Sequence, residues 1–272
     1  MSAPTEDPTH DARNSSTSRR PSAKPVLSEE ALLRSDITPL IRAIAFATRA
    51  ISRSYTRVRI EGETDEIPRE GPVVLAANHI SNADAVLIGA FLTPRLGRRI
   101  HWLGKKEMFD WPVVGYVARN GGIHPVDRAA ADVDAFRTAE RVLTEGHVLM
   151  IFPEGTRSPS GELQKPKDGL AMLALRSGAP IVPIGMSNTD RVWPKGQLLP
   201  RPGGHATMRI GRPFRLADEL PAGLDRKSAK TAATDLIMRR IAALLDPRHR
   251  GAYGDDTPDT RVGANAEADE EA

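Results

Sequence analysis

The chain has 272 residues, which fits one large domain with tails. Having no cysteine, it can form no disulfide, thiolate metal site or cysteine nucleophile, and it fits a reducing compartment. A formal charge of +3 is too small to imply nucleic acid, and no uncharged apolar run approaches the roughly 18 residues of an ordinary transmembrane helix.

Residues 1–26 are rich in Ser, Thr, Pro and charge and lack the apolar stretch of a signal peptide, so they are expected to be a disordered tail. From Ile37 to Tyr55 the apolar residues Ile37, Leu40, Ile41, Ile44, Ile51 and Tyr55 recur at helical spacing. Arg42, Arg49 and Arg53 fall opposite them. This predicts an amphipathic helix with a basic face, either packed on the core with solvated arginines or lying in a membrane interface. Phe46 projects toward the arginine side, where a headgroup layer would suit it better than water.

Short β-prone runs follow at Val58–Ile60, Val73–Ala77, Ile100–Leu103, Ile123–Val126, Val148–Phe152, Ile181–Ile184 and Thr207–Ile210. Helical patterns alternate with them at Asp84–Leu92, Trp111–Arg119, Val133–Glu145 and Asp168–Arg176, and a closing helix is expected over Lys227–Leu245. The alternation predicts an α/β fold: a central, largely buried mixed sheet of about seven strands flanked by helices, with chemistry at the carboxyl ends of strands. Residues 27–250 form the expected domain, and 251–272, ending in EADEEA, a disordered acidic tail.

The polar clusters fall at those strand ends. In VVLAANHISNAD a buried strand delivers Asn78 and His79 into a loop, and Asp84 follows at the mouth of a helix. A histidine steadied by a carboxylate can take a proton from an alcohol. A structural cap and ion pair would give the same spacing. Two further loops, GGIHPVDR and IFPEGTRS, present Asp127 and Arg128, then Glu154, Gly155 and Arg157. Guanidinium grips phosphate in a bidentate way, and a carboxylate can hydrogen-bond a polyol; surface salt bridges are the alternative for each arginine.

Asn78–Asp84 (NHISNAD), Gly122–Arg128 (GIHPVDR), Phe152–Ser158 (FPEGTRS) and Ala179–Ile184 (APIVPI) resemble, in order and spacing, the four motif blocks of the glycerolipid acyltransferases, over roughly Val58–Phe214. The branch that looks most similar is bacterial 1-acylglycerol-3-phosphate acyltransferase. The resemblance implies the glycerol-3-phosphate acyltransferase-like fold, with His79 as general base and Asp84 as its partner. It further implies that Arg128 and Arg157 hold the glycerol phosphate, that Glu154 and Gly155 seat the glycerol, and that Pro183 shapes an acyl-side wall. The segment WLGKKEMF is similar to another recurrent family stretch and makes Lys105 an additional phosphate contact.

The reaction so implied moves a fatty acyl group from acyl-CoA or acyl carrier protein to the sn-2 hydroxyl of a lysophospholipid acceptor, 1-acylglycerol-3-phosphate, with no cofactor, no metal and no acyl-enzyme. Other lysophospholipid or glycolipid acceptors, or lipid binding without turnover, are the alternatives. Ile80 and Ser81 depart from the commoner Gln-Ser pair. His124 stands where an apolar residue is usual, either as a partly exposed structural histidine or as a loop histidine near the phosphate. Where the family often carries amino-terminal hydrophobic segments, this chain offers only the basic amphipathic helix. That implies peripheral placement on the cytoplasmic face of the membrane.

Overall fold

The computed structural model describes residues 33–34, 36–62, 64–126, 132–167, 169–197 and 199–254. The expected amino-terminal tail and residues 255–272 of the acidic tail lie outside the described residues, as do Asp127 and Arg128.

Seven strands form one mixed sheet: β1 (Arg57–Gly62), β2 (Val73–Ala77), β3 (Ile100–Lys105), β4 (Ile123–Val126), β5 (Val148–Ile151), β6 (Ile181–Ser187) and β7 (His205–Ile210). Their order is β1-β7-β6-β2-β5-β3-β4. Strands β2 to β6 are mutually parallel, β7 runs antiparallel to β6, and β1 pairs parallel with β7. Among the described residues eight α-helices accompany them: α1 (Pro39–Tyr55), α2 (Ala83–Leu96), α3 (Pro112–Asn120), α4 (Asp132–Thr144), α5 (Gly169–Ser177), α6 (Thr189–Val192), α7 (Leu216–Glu219) and α8 (Arg226–Ala243).

The central strand β2 reads VVLAA and is buried along its whole length, as a parallel strand covered on both faces must be. Alternation decides which side chain meets which layer. Val73, Leu75 and Ala77 join the core under α2, whereas Val74 and Ala76 join the core formed with α4, α5 and α8. Removing such side chains from water stabilises the sheet by roughly 1.5–3 kcal/mol per large residue.

Gly146, left-handed at φ +79°, ends α4, and the backbone N–H of His147 returns to the Val142 carbonyl. Helix α1 begins where Thr38 caps the Ile41 N–H and Pro39 takes the first helical position.

Three expectations are corrected. Helix α1 packs on α2 through a stripe containing Ile41, Ile44, Ala45, Thr48 and Ser52, with the small Ala45 buried. The stripe is therefore rotated from the one predicted. Ile51 is 63% exposed, Tyr55 also faces solvent, and Arg49 is half-buried. His124 is neither partly exposed nor in a loop: it is buried in β4 with its Nε2 3.0 Å from Nδ1 of His101. Burial, reinforced by neighbouring cationic groups, lowers these two imidazoles to about 4 and about 3. Finally, the folded chain continues past residue 250 into a helical turn at Gly251–Tyr253, because Tyr253 packs against the core and Gly251 closes onto the Leu163 carbonyl.

Candidate active site

Three neighbouring parallel strands, β6, β2 and β5, release their chains at one end of the sheet, and those three loops build the site. The loop after β2 wraps around Asp84, which is fully buried in the first turn of α2. One carboxylate oxygen, Oδ2, accepts from the backbone N–H groups of Ile80 and Ser81, each at 2.7 Å, and pairs with Nδ1 of His79 at 2.8 Å. The other, Oδ1, accepts the hydroxyl of Thr189 at the start of α6. Because the carboxylate only accepts, Nδ1 of His79 carries the proton and Nε2 keeps a lone pair.

The His79 side chain is 18% exposed, and no described residue hydrogen-bonds its Nε2. One ring face stacks on Phe152 at 4.0 Å between centroids. Ser81, which follows the unusual Ile80, donates its hydroxyl to the Trp193 carbonyl and accepts from the Ala83 N–H, fixing the entry to α2. Ile80 itself is buried.

The β5 loop holds the next group. Glu154, expected to seat a polyol, is held by the backbone on both oxygens: Oε1 accepts the His79 N–H at 2.7 Å and Oε2 the Gln164 N–H at 3.1 Å, with 3% of the residue exposed. It braces the His79 loop from behind. Gly155 turns left-handed at φ +68°, and an added Cβ there would crowd the stem of Lys167. Arg157 is half-buried and donates through Nη1 to the Asn82 side-chain carbonyl. Lys105 is exposed at the end of β3, and Arg128 lies outside the described residues. Pro183 sits in the body of β6 opposite Ala76, not at the strand's end. Among the described residues no group of three or more His, Cys, Asp or Glu side chains converges to hold a metal ion.

Burial raises the Glu154 carboxyl from 4.5 to about 7, against the opposing pull of the His79 and Gln164 amides. The folded chain therefore holds a proton that the unfolded chain releases near pH 4.5. This contribution to stability is fully present below about pH 4.5 and is lost as pH rises through about 7. Thermal unfolding followed from pH 4 to 8 should show a fall in stability, on the order of 3 kcal/mol in total, that is absent from Glu154→Gln. Parallel curves would mean that Glu154 titrates normally.

Several bonds that hold the site leave no sign in the sequence pattern. Asn78 uses its amide as a strand-like pair, donating to the Met186 carbonyl at 2.9 Å and accepting its N–H at 2.7 Å, so the β2 loop is stitched to β6. Thr189 carries no motif signal at all. Its placement depends on Asn188, which adopts a left-handed φ of 64°. His249 accepts the Asn188 N–H through Nε2 and donates through Nδ1 to the Gly161 carbonyl, so a buried imidazole far along the chain braces two active-site loops.

Residues 57–187 match the model of the Acyltransferase family. The 1-acyl-sn-glycerol-3-phosphate acyltransferase of Bacillus subtilis is 29% identical over 183 residues, which cover 66% of this chain and 84% of that one. The lyso-ornithine lipid O-acyltransferase of Pseudomonas aeruginosa is 33% identical over 162 residues, 58% of each chain. Among solved structures, the 1-acyl-sn-glycerophosphate acyltransferase PlsC of Thermotoga maritima superposes with a TM-score of 0.60 at 28% identity, covering 75% of this chain and 79% of that one. The chain spans less than two thirds of the length of most of the curated relatives it matches. The matched region carries the imidazole–carboxylate hub and its braces, and residues 57–187 form a domain of the Acyltransferase family.

Proposed function

We propose that the chain acylates the sn-2 hydroxyl of 1-acylglycerol-3-phosphate, taking a fatty acyl group from the thioester of acyl-CoA or acyl carrier protein and giving phosphatidate. The observation that carries this reading is the buried Asp84 carboxylate 2.8 Å from Nδ1 of His79, which leaves Nε2 as the basic nitrogen beside solvent. Nε2 takes the hydroxyl proton as the oxygen attacks the thioester carbonyl. The new C–O bond forms, the C–S bond breaks, and the imidazolium returns its proton to the departing thiolate. Asp84 stabilises the imidazolium in between.

The acceptor's phosphate meets Arg157, with Arg128 and Lys105 as further cationic partners, while Phe152 and the half-buried Trp102 supply an apolar flank. The basic helix α1 holds the enzyme peripherally on the cytoplasmic face of the membrane.

A thiol-release assay with purified protein, lysophosphatidate and each donor type tests the reading. Release should require the acceptor. Arg157→Ala should lower kcat/KM for the phosphorylated acceptor about 10- to 100-fold while leaving a phosphate-free lysolipid nearly unchanged. The Pseudomonas relative acts on lyso-ornithine lipid, as its name states, so that lipid belongs in the panel. Turnover of lyso-ornithine lipid with none of lysophosphatidate would reassign the acceptor, and binding without release would make the chain a lipid-binding protein.

A further inference from the structure

Two helices that touch, α1 and α3, carry several of the exposed large apolar side chains. Phe46 and Ile51 on α1 are 68% and 63% exposed, and Trp111, Val113 and Tyr116 at the start of α3 are 62%, 76% and 55% exposed.

Helix α3 packs the wrong way round for a helix meeting water. Its buried residues are Gly115 and Ala118, and Gly115 lies so close to the preceding turn that a Cβ would come 2.2 Å from the Phe109 carbonyl oxygen. The smallest residues thus face the protein, and the Trp111 indole, the Val113 isopropyl group and the Tyr116 phenol stand outside. Such patches on a soluble chain mark an interaction surface.

Helices α1 and α3 touch and run in opposite directions, with Gly121 at the end of α3 beside Ile41 in the first turn of α1. Helix α1 ends at β1, whose first residues pair with the start of β7, next to the end of β6. Helix α3 starts just after the end of β3. The Trp111 end of one and the Tyr55 end of the other therefore both lie toward the end of the sheet that carries His79. The charges around them are mainly cationic. Helix α1 has Arg42, Arg49 and Arg53 and no acidic residue, while Lys105, Lys106 and Arg119 flank α3 against Glu107 and Asp110.

We infer that α1 and α3 form a single lipid-docking face, in which Trp111, Val113 and Tyr116 insert into the boundary between headgroups and acyl chains of an anionic phospholipid bilayer. Arg42 and Arg53 meet the headgroup phosphates beside them. This extends to α3 the surface binding assigned above to α1 and rests on that reading. Insertion by α3 is apolar and persists in salt, whereas the arginine contribution is screened. It also sets the mouth of the site against the layer from which a lysolipid is drawn.

Co-sedimentation with phosphatidylglycerol-rich phosphatidylcholine vesicles separates the two contributions. Val113→Asp/Tyr116→Asp should weaken binding about ten-fold or more even at roughly 0.5 M salt, while Arg42→Gln/Arg53→Gln should lose only the salt-sensitive part. Both pairs of side chains are exposed, so melting temperatures and turnover of short-chain, micelle-free substrates should stay unchanged. Independently of any fold change, vesicles of brominated lipid should quench tryptophan fluorescence of the unaltered chain, and Trp111→Phe should abolish that quenching.

Undiminished vesicle binding by the aspartate variant, absence of quenching, or loss of a concentration-dependent dimer in place of vesicle binding would overturn the inference; the last would make the face a self-association surface. Neither vesicle readout depends on turnover. A chain that docks but does not acylate lysophosphatidate would thus refute the proposed reaction alone.

Discussion

His79→Ala is expected to lower kcat for thioester-dependent acylation by about a hundred- to ten-thousand-fold, the span typical for removing a general base, while leaving the fold intact. The second half of that expectation follows from how Asp84 is held. Without the imidazole, its carboxylate still accepts the Ile80 and Ser81 amides and the Thr189 hydroxyl, so no buried charge is stranded. The ring is itself partly open to solvent, so its removal leaves no sealed cavity. Thiol release and thermal unfolding measured on one preparation check both halves, and a variant that esterifies at full speed would remove His79 from the mechanism.

Asp84 should show the complementary split. In Asp84→Asn the amide oxygen can take the place of Oδ2 and keep the Ile80, Ser81 and His79 donors, while the amide nitrogen faces the Thr189 hydroxyl, which can rotate to accept. The fold should survive with a small loss. The rate should fall by about 10²- to 10⁴-fold, because the negative charge that stabilises the imidazolium is gone. Asp84→Ala instead leaves two amides, a hydroxyl and an imidazole N–H without their acceptor around a fully buried position. Each stranded donor costs about 1–3 kcal/mol. That variant should lose several kcal/mol in denaturant unfolding as well as its activity. If both variants were equally stable, the hub would not hold the loop as its hydrogen bonds indicate.

The sheet was readable because the strands are short apolar runs set between helical patterns: Val73–Ala77 and Ile123–Val126 coincide with β2 and β4. The pairing of β1 with β7 was not, since register between strands some 150 residues apart leaves no local trace. In α1 the helix was legible, but the face that it buries was not. Neighbouring α2 accepts the narrow Ala45 stripe and leaves Ile51 outside, and that choice belongs to shape complementarity between two helices. At the site, His79 and Asp84 stand five residues apart and announce themselves. Thr189 and Gln164 do not, because a single hydroxyl or a backbone N–H is selected only by where the fold places it. Glu154 is the instructive middle case, where its place in the loop was legible and its two main-chain bonds were not. Both oxygens accept main-chain N–H groups that lie 75 and 10 residues away in sequence, and no local pattern announces such pairs.

The contacts that assemble the site reach far along the chain: 75 residues between His79 and Glu154, 105 between Asp84 and Thr189, and 108 between Asn78 and Met186. A nascent chain that has emerged only as far as α4 already contains His79 and Asp84 yet lacks the partners that hold them in place. Competence must therefore arrive late in synthesis, once β6 and the turn beyond it have joined the sheet, and a product truncated before Thr189 should be inert even where its first strands have collapsed.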